Sequence, residues 1–327
     1  MKFRTLGKTG YRVSEIGLGC WQFGGDFGPI SEANSHDVIK LASDNGVNLF
    51  DTADVYGGGV SESYLGNHFA SQDITKPHLL TKVGRDGKLF PDGYTKQAVR
   101  ENIQGSIKRL KVDSIDLMQL HCVPPAILAQ GDIFSWLDDF CQEGLIRHYG
   151  VSVETVDEAL LCLQQPKLAT LQIIFNIFRQ DAISRLFDKA QQADVGIIVR
   201  LPLASGLLSG KMKSQQVFDK QDHRHFNRNG ECFNVGETFS GIEFEKGIEL
   251  VNELQQIVGT DTPLSQLALR WILDFPAVST VIAGASKPNQ VLLNTSVSDI
   301  EPLSTELHQQ LSDFYKSRVR ENIRGDI

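Results

Sequence analysis

The 327-residue chain has a formal net charge of -8 and a pI near 5.5, with no dense Lys/Arg run, which excludes non-specific nucleic-acid binding. No stretch approaches the roughly 18 apolar residues of a membrane span, and the first residues lack the apolar core of a signal peptide. The five cysteines are odd in number and widely spaced, as in proteins with free thiols. We therefore expect a cytoplasmic protein that binds neither nucleic acid nor membranes.

Short apolar runs alternate with longer helical patterns along the whole chain. The predicted strands are Ile16–Gly19, Leu49–Asp51, His78–Lys82, Ile115–His121, Ile146–Val151, Leu171–Ile174, Gly196–Leu201 and Thr280–Ile282. The predicted helices are Ser35–Asn45, Ser61–Phe69, Thr95–Leu110, Ile133–Glu143, Ala182–Ala193, Glu243–Val258, Pro263–Phe275, Pro288–Thr295 and Ser304–Arg318. Repeated strand–helix units predict a parallel sheet, and eight of them fit a closed barrel better than an open sheet.

The two ends of the chain add elements to this barrel. Residues 3–6 and 12–15 flank Lys8-Thr9-Gly10 and predict a small hairpin ahead of the first barrel strand. The predicted fold is thus an α/β (β/α)8 TIM barrel with a short N-terminal β-hairpin and an extra C-terminal helix, in one domain over residues 1–327. Residues 211–241 are polar and show no clear period, so we expect a lid or a mobile loop there.

Polar residues stand where several of these apolar strands end. Asp51, Lys82, His121, Ser152 and Gln172 occupy such positions on five consecutive strands. Each alone is a weak signal, because an Asp after a strand is often a helix cap and a lone Lys is usually a solvated charge. In (β/α)8 barrels the C-terminal strand ends share one mouth, where catalytic groups gather. The ordered series therefore predicts one polar site.

The chain resembles the aldo-keto reductases over essentially its whole length. The resemblance is carried, in this order, by NLFDTADVYG (48–57), SESYLG (61–66), LLTKVG (79–84), SIDLMQLH (114–121), IRHYGVS (146–152), PLASGLLSGK (202–211) and IAGASKPNQVLLN (282–294). It implies a catalytic tetrad of Asp51, Tyr56, Lys82 and His121. It also implies a small-molecule carbonyl or alcohol substrate and a chain that is a monomer or a weak homo-oligomer.

Elementary acid–base chemistry gives each tetrad residue a role. A free phenol has a pKa near 10, and a nearby ammonium lowers it. We therefore expect Lys82 to acidify Tyr56, Asp51 to hold Lys82, and His121 to orient the carbonyl. Hydride then passes from the cofactor to the carbonyl carbon while Tyr56 supplies the proton.

The same resemblance implies an NADP(H) site, with NAD(H) as the alternative. Ser152 and Gln172 are expected on the carboxamide, 202–211 around the pyrophosphate, and the start of the last barrel helix, with its free N–H groups, near the adenosine end. The implied cofactor-binding residues are Gly19, Trp21, Asp51, Ser152, Gln172, Arg200, Pro202, Leu203, Ala204, Gly206, Leu207, Lys211, Gly284, Ser286, Lys287, Gln290 and Asn294.

Three positions depart from the family pattern. Val153 follows Ser152 where Asn is usual, so one carboxamide hydrogen bond is missing. Arg200 stands where an aromatic ring often stacks on the nicotinamide, and its charge predicts a preference for the reduced cofactor. Lys287 is the only cation between positions 284 and 294, where a 2′-phosphate needs positive charge.

The same residues allow two other functions. A Schiff-base aldolase would use Lys82 as its nucleophile. A cofactor-binding regulatory subunit on the same fold would turn over little. His223 and His225 alternate in a polar loop without the further ligands of a metal site, so we expect a solvated loop and no metal.

Overall fold

Ten strands form in the computed structural model, which describes residues 1–70 and 76–327. They are β1 (Phe3–Thr5), β2 (Arg12–Ser14), β3 (Ile16–Gly19), β4 (Leu49–Asp51), β5 (His78–Val83), β6 (Ile115–His121), β7 (Ile146–Ser152), β8 (Thr170–Ile174), β9 (Gly196–Arg200) and β10 (Val278–Gly284). Strands β3 to β10 pair in parallel and close into a barrel, with β10 beside β3. The predicted (β/α)8 barrel and its eight strands are confirmed, with ends shifted by two residues at most.

Helices surround the barrel on the outside. They span Glu32–Asp44, Val60–Ala70, Lys96–Leu110, Pro125–Gln130, Asp132–Gln142, Val156–Cys162, Ala182–Arg185, Phe187–Gln192, His223–Phe226, Phe244–Val258, Leu264–Leu273, Pro288–Thr295 and Thr305–Phe314. Within the described ranges, every helix is too short or too polar to span a lipid bilayer.

The sequence prediction missed or simplified some helices. Pro125–Gln130 and Val156–Cys162 are too short to give a clear period, although Thr155 and Glu158 form a capping box at the start of the second. The predicted helix Ala182–Ala193 breaks at Leu186 into two short helices. The C-terminal helix ends at Phe314 and continues as a wider π turn over Tyr315–Val319.

The predicted N-terminal hairpin is confirmed. Its apolar side chains pack against residues that point into the barrel. β1 and β2 pair antiparallel. Leu6 and Val13 of this hairpin are fully buried, in one apolar cluster with inward-facing strand residues such as Leu49, Leu80 and Leu117. The backbone N–H of Lys8 donates to the carbonyl of Asp194, just before β9, at 3.0 Å. The hairpin therefore covers the N-terminal end of the barrel, and the C-terminal strand ends remain for a site.

Residues 211–241, which we call the covering loop, fold into three short turns rather than an irregular lid. The helix His223–Phe226 is followed by 3₁₀ turns at Val235–Glu237 and Phe239–Gly241. The C-terminal tail braces this loop: Arg324 Nε donates to the carbonyl of Gly241 at 2.9 Å, and its Nη1 donates to Asn229 Oδ1 at 3.0 Å. The loop thus forms part of the wall at the mouth of the barrel.

Candidate active site

Lys82 lies at the centre of a buried polar group at the ends of β4, β5 and β6. Its Nζ lies 2.5 Å from Asp51 Oδ1 and donates to the carbonyl of Thr52 at 2.8 Å and to the hydroxyl of Tyr56 at 3.3 Å. Asp51 and Lys82 are each only 1% exposed. Burial lowers the pKa of Lys82, but Asp51 and Tyr56 raise it more, so the ammonium form is favoured.

Two amide side chains hold the second oxygen of Asp51. Gln119 Nε2 and Gln172 Nε2 each donate to Asp51 Oδ2 at 2.8 Å, and Gln172 Nε2 also lies 3.0 Å from Gln119 Oε1. Ser152 Oγ donates to Gln172 Oε1 at 3.3 Å. The sequence analysis gave Gln119 no role. Its place two residues before His121, on the same face of β6, is the signal that could have found it.

His121 faces Tyr56 across the mouth of the barrel. The two ring centroids lie 5.9 Å apart with nearly perpendicular planes. Burial, together with the charges of Arg85, Lys82 and Arg200, holds the pKa of His121 well below its usual range. His121 is therefore neutral at physiological pH. The structure thus brings Asp51, Lys82 and His121 together, as the strand-end series predicts, with Tyr56 beside them, as the family resemblance implies.

The acidity expected for Tyr56 is wrong in its direction. Lys82 lowers the pKa of the phenol, but burial has the larger effect and raises the pKa to about 12. Tyr56 is therefore a protonated phenol at neutral pH. The effect of the neighbouring charge could be predicted from the sequence, whereas the desolvation of this half-buried ring could not.

One large cavity opens from these residues and contains much of the predicted cofactor site. Its volume is about 840 Å³, enough for a small-molecule ligand. Tyr56 and His121 line it near the barrel axis. Of the predicted cofactor residues, those that line the same cavity are Gly19, Trp21, Asp51, Gln172, Arg200, Pro202, Leu203, Gly206, Gly284, Ser286 and Gln290.

The remaining predicted cofactor residues lie outside the wall of this cavity. Ala204 and Leu207 are buried on the core side of their turn, and Ser152 lies behind Gln172. Lys211 and Lys287 are exposed to solvent. Asn294 is buried, and its amide lies 3.4 Å from the carbonyl of Gly284.

The start of the last barrel helix differs from the prediction. Free backbone N–H groups were expected there, but those of Ser286 and Lys287 donate to Gln290 Oε1 at 2.8 and 3.1 Å. Gln290 therefore caps its own helix, as the third residue of a helix often does. An anion can use these two N–H groups only after the Gln290 side chain turns away.

A cluster of oppositely charged residues lies beside His121, and it was not predicted from the sequence. Arg85 reaches Glu237 of the covering loop at 2.6 Å and Glu154 at 2.7 Å, while Arg200 lies 3.2 Å from Glu237. Burial raises the pKa of Glu237, but the two guanidiniums lower it further, to about 2. Arg85 and Glu154 follow strands β5 and β7, where the strand-end rule could have found them. Glu237 lies in the polar loop and gave no such signal.

The charge of Arg200 is paired, whereas the sequence predicts an unpaired guanidinium beside the nicotinamide. Besides its ion pair with Glu237, its Nη2 donates to the carbonyl of Val153 at 2.9 Å. The carboxylate of Glu237 offsets the charge that was expected to disfavour an oxidised nicotinamide. The expected preference for the reduced cofactor therefore loses its physical basis.

Aromatic side chains form another part of the cavity wall. Trp21 stacks near Tyr56, with centroids 5.9 Å apart, and its indole N–H donates to Asp26 Oδ2 at 2.6 Å. The ring of His223 packs 4.6 Å from Trp21 and 4.5 Å from Phe27, and it is fully buried. The expectation of a solvated loop is therefore wrong at His223, because the covering loop turns this side chain inward. His225 is exposed.

The chain is similar to known proteins over almost its whole length. The sequence model of the Aldo/keto reductase family matches residues 15–316, and the chain belongs to this family. It is 30% identical to the aldo-keto reductase YhdN of Bacillus subtilis, over 96% of each chain. The glycerol dehydrogenase AKR11B4 of Gluconobacter oxydans has the same fold, with a TM-score of 0.79, 27% identity, and coverage of 100% of this chain and 98% of that one. A probable voltage-gated potassium channel subunit beta of Oryza sativa is 27% identical, over 93% of each chain.

Proposed function

We propose that the protein is an NADP(H)-dependent oxidoreductase that reduces aldehydes or ketones, or oxidises the corresponding alcohols. The observation that carries this proposal is the Tyr56 hydroxyl 3.3 Å from the buried ammonium of Lys82, in the same cavity wall as His121. Family membership and the likeness to a glycerol dehydrogenase support the reaction class.

The residues around the cavity fit a nicotinamide dinucleotide. Gln172 donates a hydrogen bond to Asp51 of the tetrad, and Arg200, Ser286 and Gln290 line the same cavity. Gly206, which lines the same cavity, has φ +98°, a left-handed conformation that favours glycine over residues with a side chain. When bound, the cofactor supplies the hydride that reduces the carbonyl carbon.

Each tetrad residue then has a defined task. Neutral His121 orients the carbonyl oxygen, and protonated Tyr56 donates its proton to that oxygen as negative charge develops. Lys82 stabilises the phenolate left behind. Asp51, held by Gln119 and Gln172, keeps Lys82 charged and in place.

The cavity favours small carbonyl compounds that carry both apolar and polar groups. Trp21, Phe27 and Phe233 provide apolar surface in the cavity wall, and Glu154 and Asn234 provide polar groups in the same wall. Small aldehydes, ketones and hydroxy-carbonyl compounds fit this combination. We expect the NADP form of the cofactor because Lys287 adjoins Ser286, and a comparison of NADPH and NADH dissociation constants in Lys287→Ala and wild type tests this choice.

The experiment that tests the proposal replaces the proton donor. Tyr56→Phe removes one oxygen from a half-buried ring and is expected to lower NADPH-dependent reduction by at least about a thousandfold, with NADPH affinity within about threefold of wild type. Leu307→Met, a conservative change far from the site, serves as a control. Near-wild-type turnover of Tyr56→Phe across a panel of aldehydes would exclude this mechanism.

Two other functions predict different results. A regulatory subunit, as the name of the potassium channel relative suggests for that protein, would bind NADPH and show no turnover on the same panel. An aldolase would be trapped on Lys82 by borohydride, but an amine needs to be neutral to attack a carbonyl. The ion pair with Asp51 keeps Lys82 protonated, which disfavours the aldolase.

A further inference from the structure

Gln22 lies in the wall of the large cavity, in the short 3₁₀ turn Trp21–Gly24 that follows β3. The backbone N–H of Cys20, just before this turn, donates to the carbonyl of Asp51 at 2.8 Å. The turn therefore begins beside the tetrad. The cofactor residues predicted from the sequence include Trp21 but not Gln22.

The side-chain carboxamide of Gln22 contains an acceptor without a donor. Its Oε1 is buried and accepts no hydrogen bond from any residue within 1–70 and 76–327. Buried polar atoms in folded proteins nearly always have a partner, so an atom with none in the chain takes one from water or from a ligand. Because Gln22 lines the cavity, a ligand bound there can provide the missing donor.

Gly284 leaves the space that this carboxamide occupies. It ends β10 and pairs with Gly19 of β3. A Cβ at position 284 would lie 2.0 Å from Gln22 Nε2 and 2.5 Å from Gln22 Oε1, so a side chain there would displace the amide. Gly284 does not have a positive φ, so its backbone conformation is open to other residues. The absence of a side chain at position 284 therefore lets the Gln22 amide pack against the end of the barrel.

Few parts of a nicotinamide dinucleotide can donate to Gln22 Oε1. The bridging phosphates carry no proton at neutral pH, whereas the ribose hydroxyls, the nicotinamide amide and the adenine amine do carry one. The nicotinamide amide is expected near Ser152 and Gln172, at the ends of β7 and β8, and β7 lies across the closed barrel from β3. The adenosine end is expected near Ser286 and Gln290, which follow β10. The ribose next to the nicotinamide is the donor that remains.

We propose that the carboxamide of Gln22 binds the hydroxyls of the ribose that carries the nicotinamide, an inference that rests on the proposed cofactor. Gln22 Oε1 accepts from one hydroxyl, and Nε2 can donate to the neighbouring one, because a hydroxyl both donates and accepts. These bonds fix the ribose, and with it the nicotinamide ring relative to Tyr56 and His121. Gln22 is thus a cofactor-binding residue that takes no part in proton transfer.

Fluorescence titration of the full-length protein with NADPH and with NADH measures this contribution. Gln22→Met keeps a similar volume and removes both polar atoms of the amide. We expect the dissociation constants of both cofactors to rise about fivefold, because both contain this ribose. Adenosine 2′,5′-bisphosphate lacks it, so its affinity in competition titrations should stay within about twofold of wild type. Gln164→Met, at an exposed position, is the matched control and should bind all three as wild type does.

Gly284→Ala tests whether the fixed position of the amide matters. The added methyl group displaces the Gln22 side chain, so we expect NADPH binding to weaken about threefold. In a Gln22→Ala background there is no amide to displace, and adding Gly284→Ala should change the dissociation constant by less than about 1.5-fold. Additive effects of the two changes would contradict the proposal, since the methyl group would then meet the cofactor itself.

The unfolding midpoint without cofactor separates binding from a structural role. Gln22→Met should unfold within about 2 °C of wild type, because the Oε1 that it removes has no partner in the described part of the chain. A larger fall would indicate that Gln22 serves the fold and would count against the inference.

Unchanged binding of NADPH and NADH by Gln22→Met would overturn this inference and leave the proposed function intact. An equal loss of affinity for adenosine 2′,5′-bisphosphate would also overturn it, because Gln22 would then contact the adenosine end. A loss confined to NADPH would do the same, because it would indicate a contact with the 2′-phosphate. If wild type bound neither NADPH nor NADH, the proposed function itself would fail.

Discussion

A guanidinium nitrogen of Arg200 lies 3.2 Å from Glu237 Oε1, so a strand end of the barrel and the covering loop meet through a buried ion pair. Glu237 also binds Arg85, from the loop after β5. This carboxylate therefore offsets positive charge at the place where a nicotinamide is expected, and it ties the covering loop to the barrel. Mutation of Glu237 can separate its effect on the local charge from its effect on the position of the covering loop.

Glu237→Gln keeps the shape of the side chain and removes its charge. Two guanidiniums then act without their common counter-ion, and they repel the positively charged oxidised nicotinamide. We expect the dissociation constant of NADP⁺ to rise about tenfold, equal to about 1.4 kcal/mol, while that of NADPH changes less than about threefold. Fluorescence titration with both forms measures the difference.

The control for this experiment is Glu245→Gln, an exposed residue beyond the covering loop. It should leave both dissociation constants unchanged. Unfolding midpoints of all three proteins exclude a general loss of structure, since breaking a buried ion pair can cost several kcal/mol. Equal weakening of NADP⁺ and NADPH would show that Glu237 acts only through the position of the loop.

The pH dependence of catalysis follows from the raised pKa of Tyr56. Reduction requires the protonated phenol, and a pKa of about 12 keeps it protonated throughout the neutral range. We expect kcat/KM for reduction to be constant between about pH 6 and 9. Alcohol oxidation requires the phenolate, whose fraction rises about tenfold for each pH unit below the pKa.

Steady-state rates in both directions with one substrate pair test this expectation. The residual activity of Tyr56→Phe should lose the rise of the oxidation rate with pH. A fall in the reduction rate between pH 7 and 9 that is absent in Tyr56→Phe would contradict it. Such a fall would indicate that the pKa of Tyr56 is lowered, as expected when only the charge of Lys82 is considered.

Gln119 is expected to position Asp51 without touching the substrate. Gln119→Met removes one of two amide donors to Asp51 Oδ2 and keeps a similar volume. We expect a loss of stability of about 1–3 kcal/mol and a kcat about tenfold lower, because Lys82 is held less firmly. The KM for the carbonyl substrate should stay within about twofold, which distinguishes positioning from binding.

Chemical denaturation and steady-state kinetics measure both effects. Gln164→Met, at an exposed position, is the control and should match wild type in both. If the kcat of Gln119→Met is unchanged while its stability falls, Gln119 serves the core alone. Rescue of kcat by Gln119→Asn is not expected, because the shorter amide does not reach Asp51.

The barrel itself could be predicted because its strands are buried on both sides and read as apolar runs. β3, β4 and β6 have the bounds expected from the sequence, and the ends of β4, β5 and β6 gather Asp51, Lys82 and His121. The features that could not be predicted from the sequence depend on contacts between residues far apart in the chain. Glu237 reaches Arg85 across 152 positions, and no local pattern reveals such a pair. The direction of the Tyr56 pKa shift likewise depends on burial by distant residues.

The C-terminal tail gives a last prediction, because Arg324 braces the covering loop. Its Nε and Nη1 bind Gly241 and Asn229, and its Nη2 lies 3.3 Å from the carbonyl of Arg228. Arg324→Ala removes these bonds, so we expect trypsin to cleave after Arg228 at least about threefold faster. The same variant should raise the KM for the carbonyl substrate about threefold with little change in kcat, since the tetrad lies on the barrel. Arg318→Ala, at an exposed ion pair with Glu253, is the matched control. Unchanged proteolysis and KM in Arg324→Ala would mean that the covering loop holds its position through Glu237 and its own buried residues.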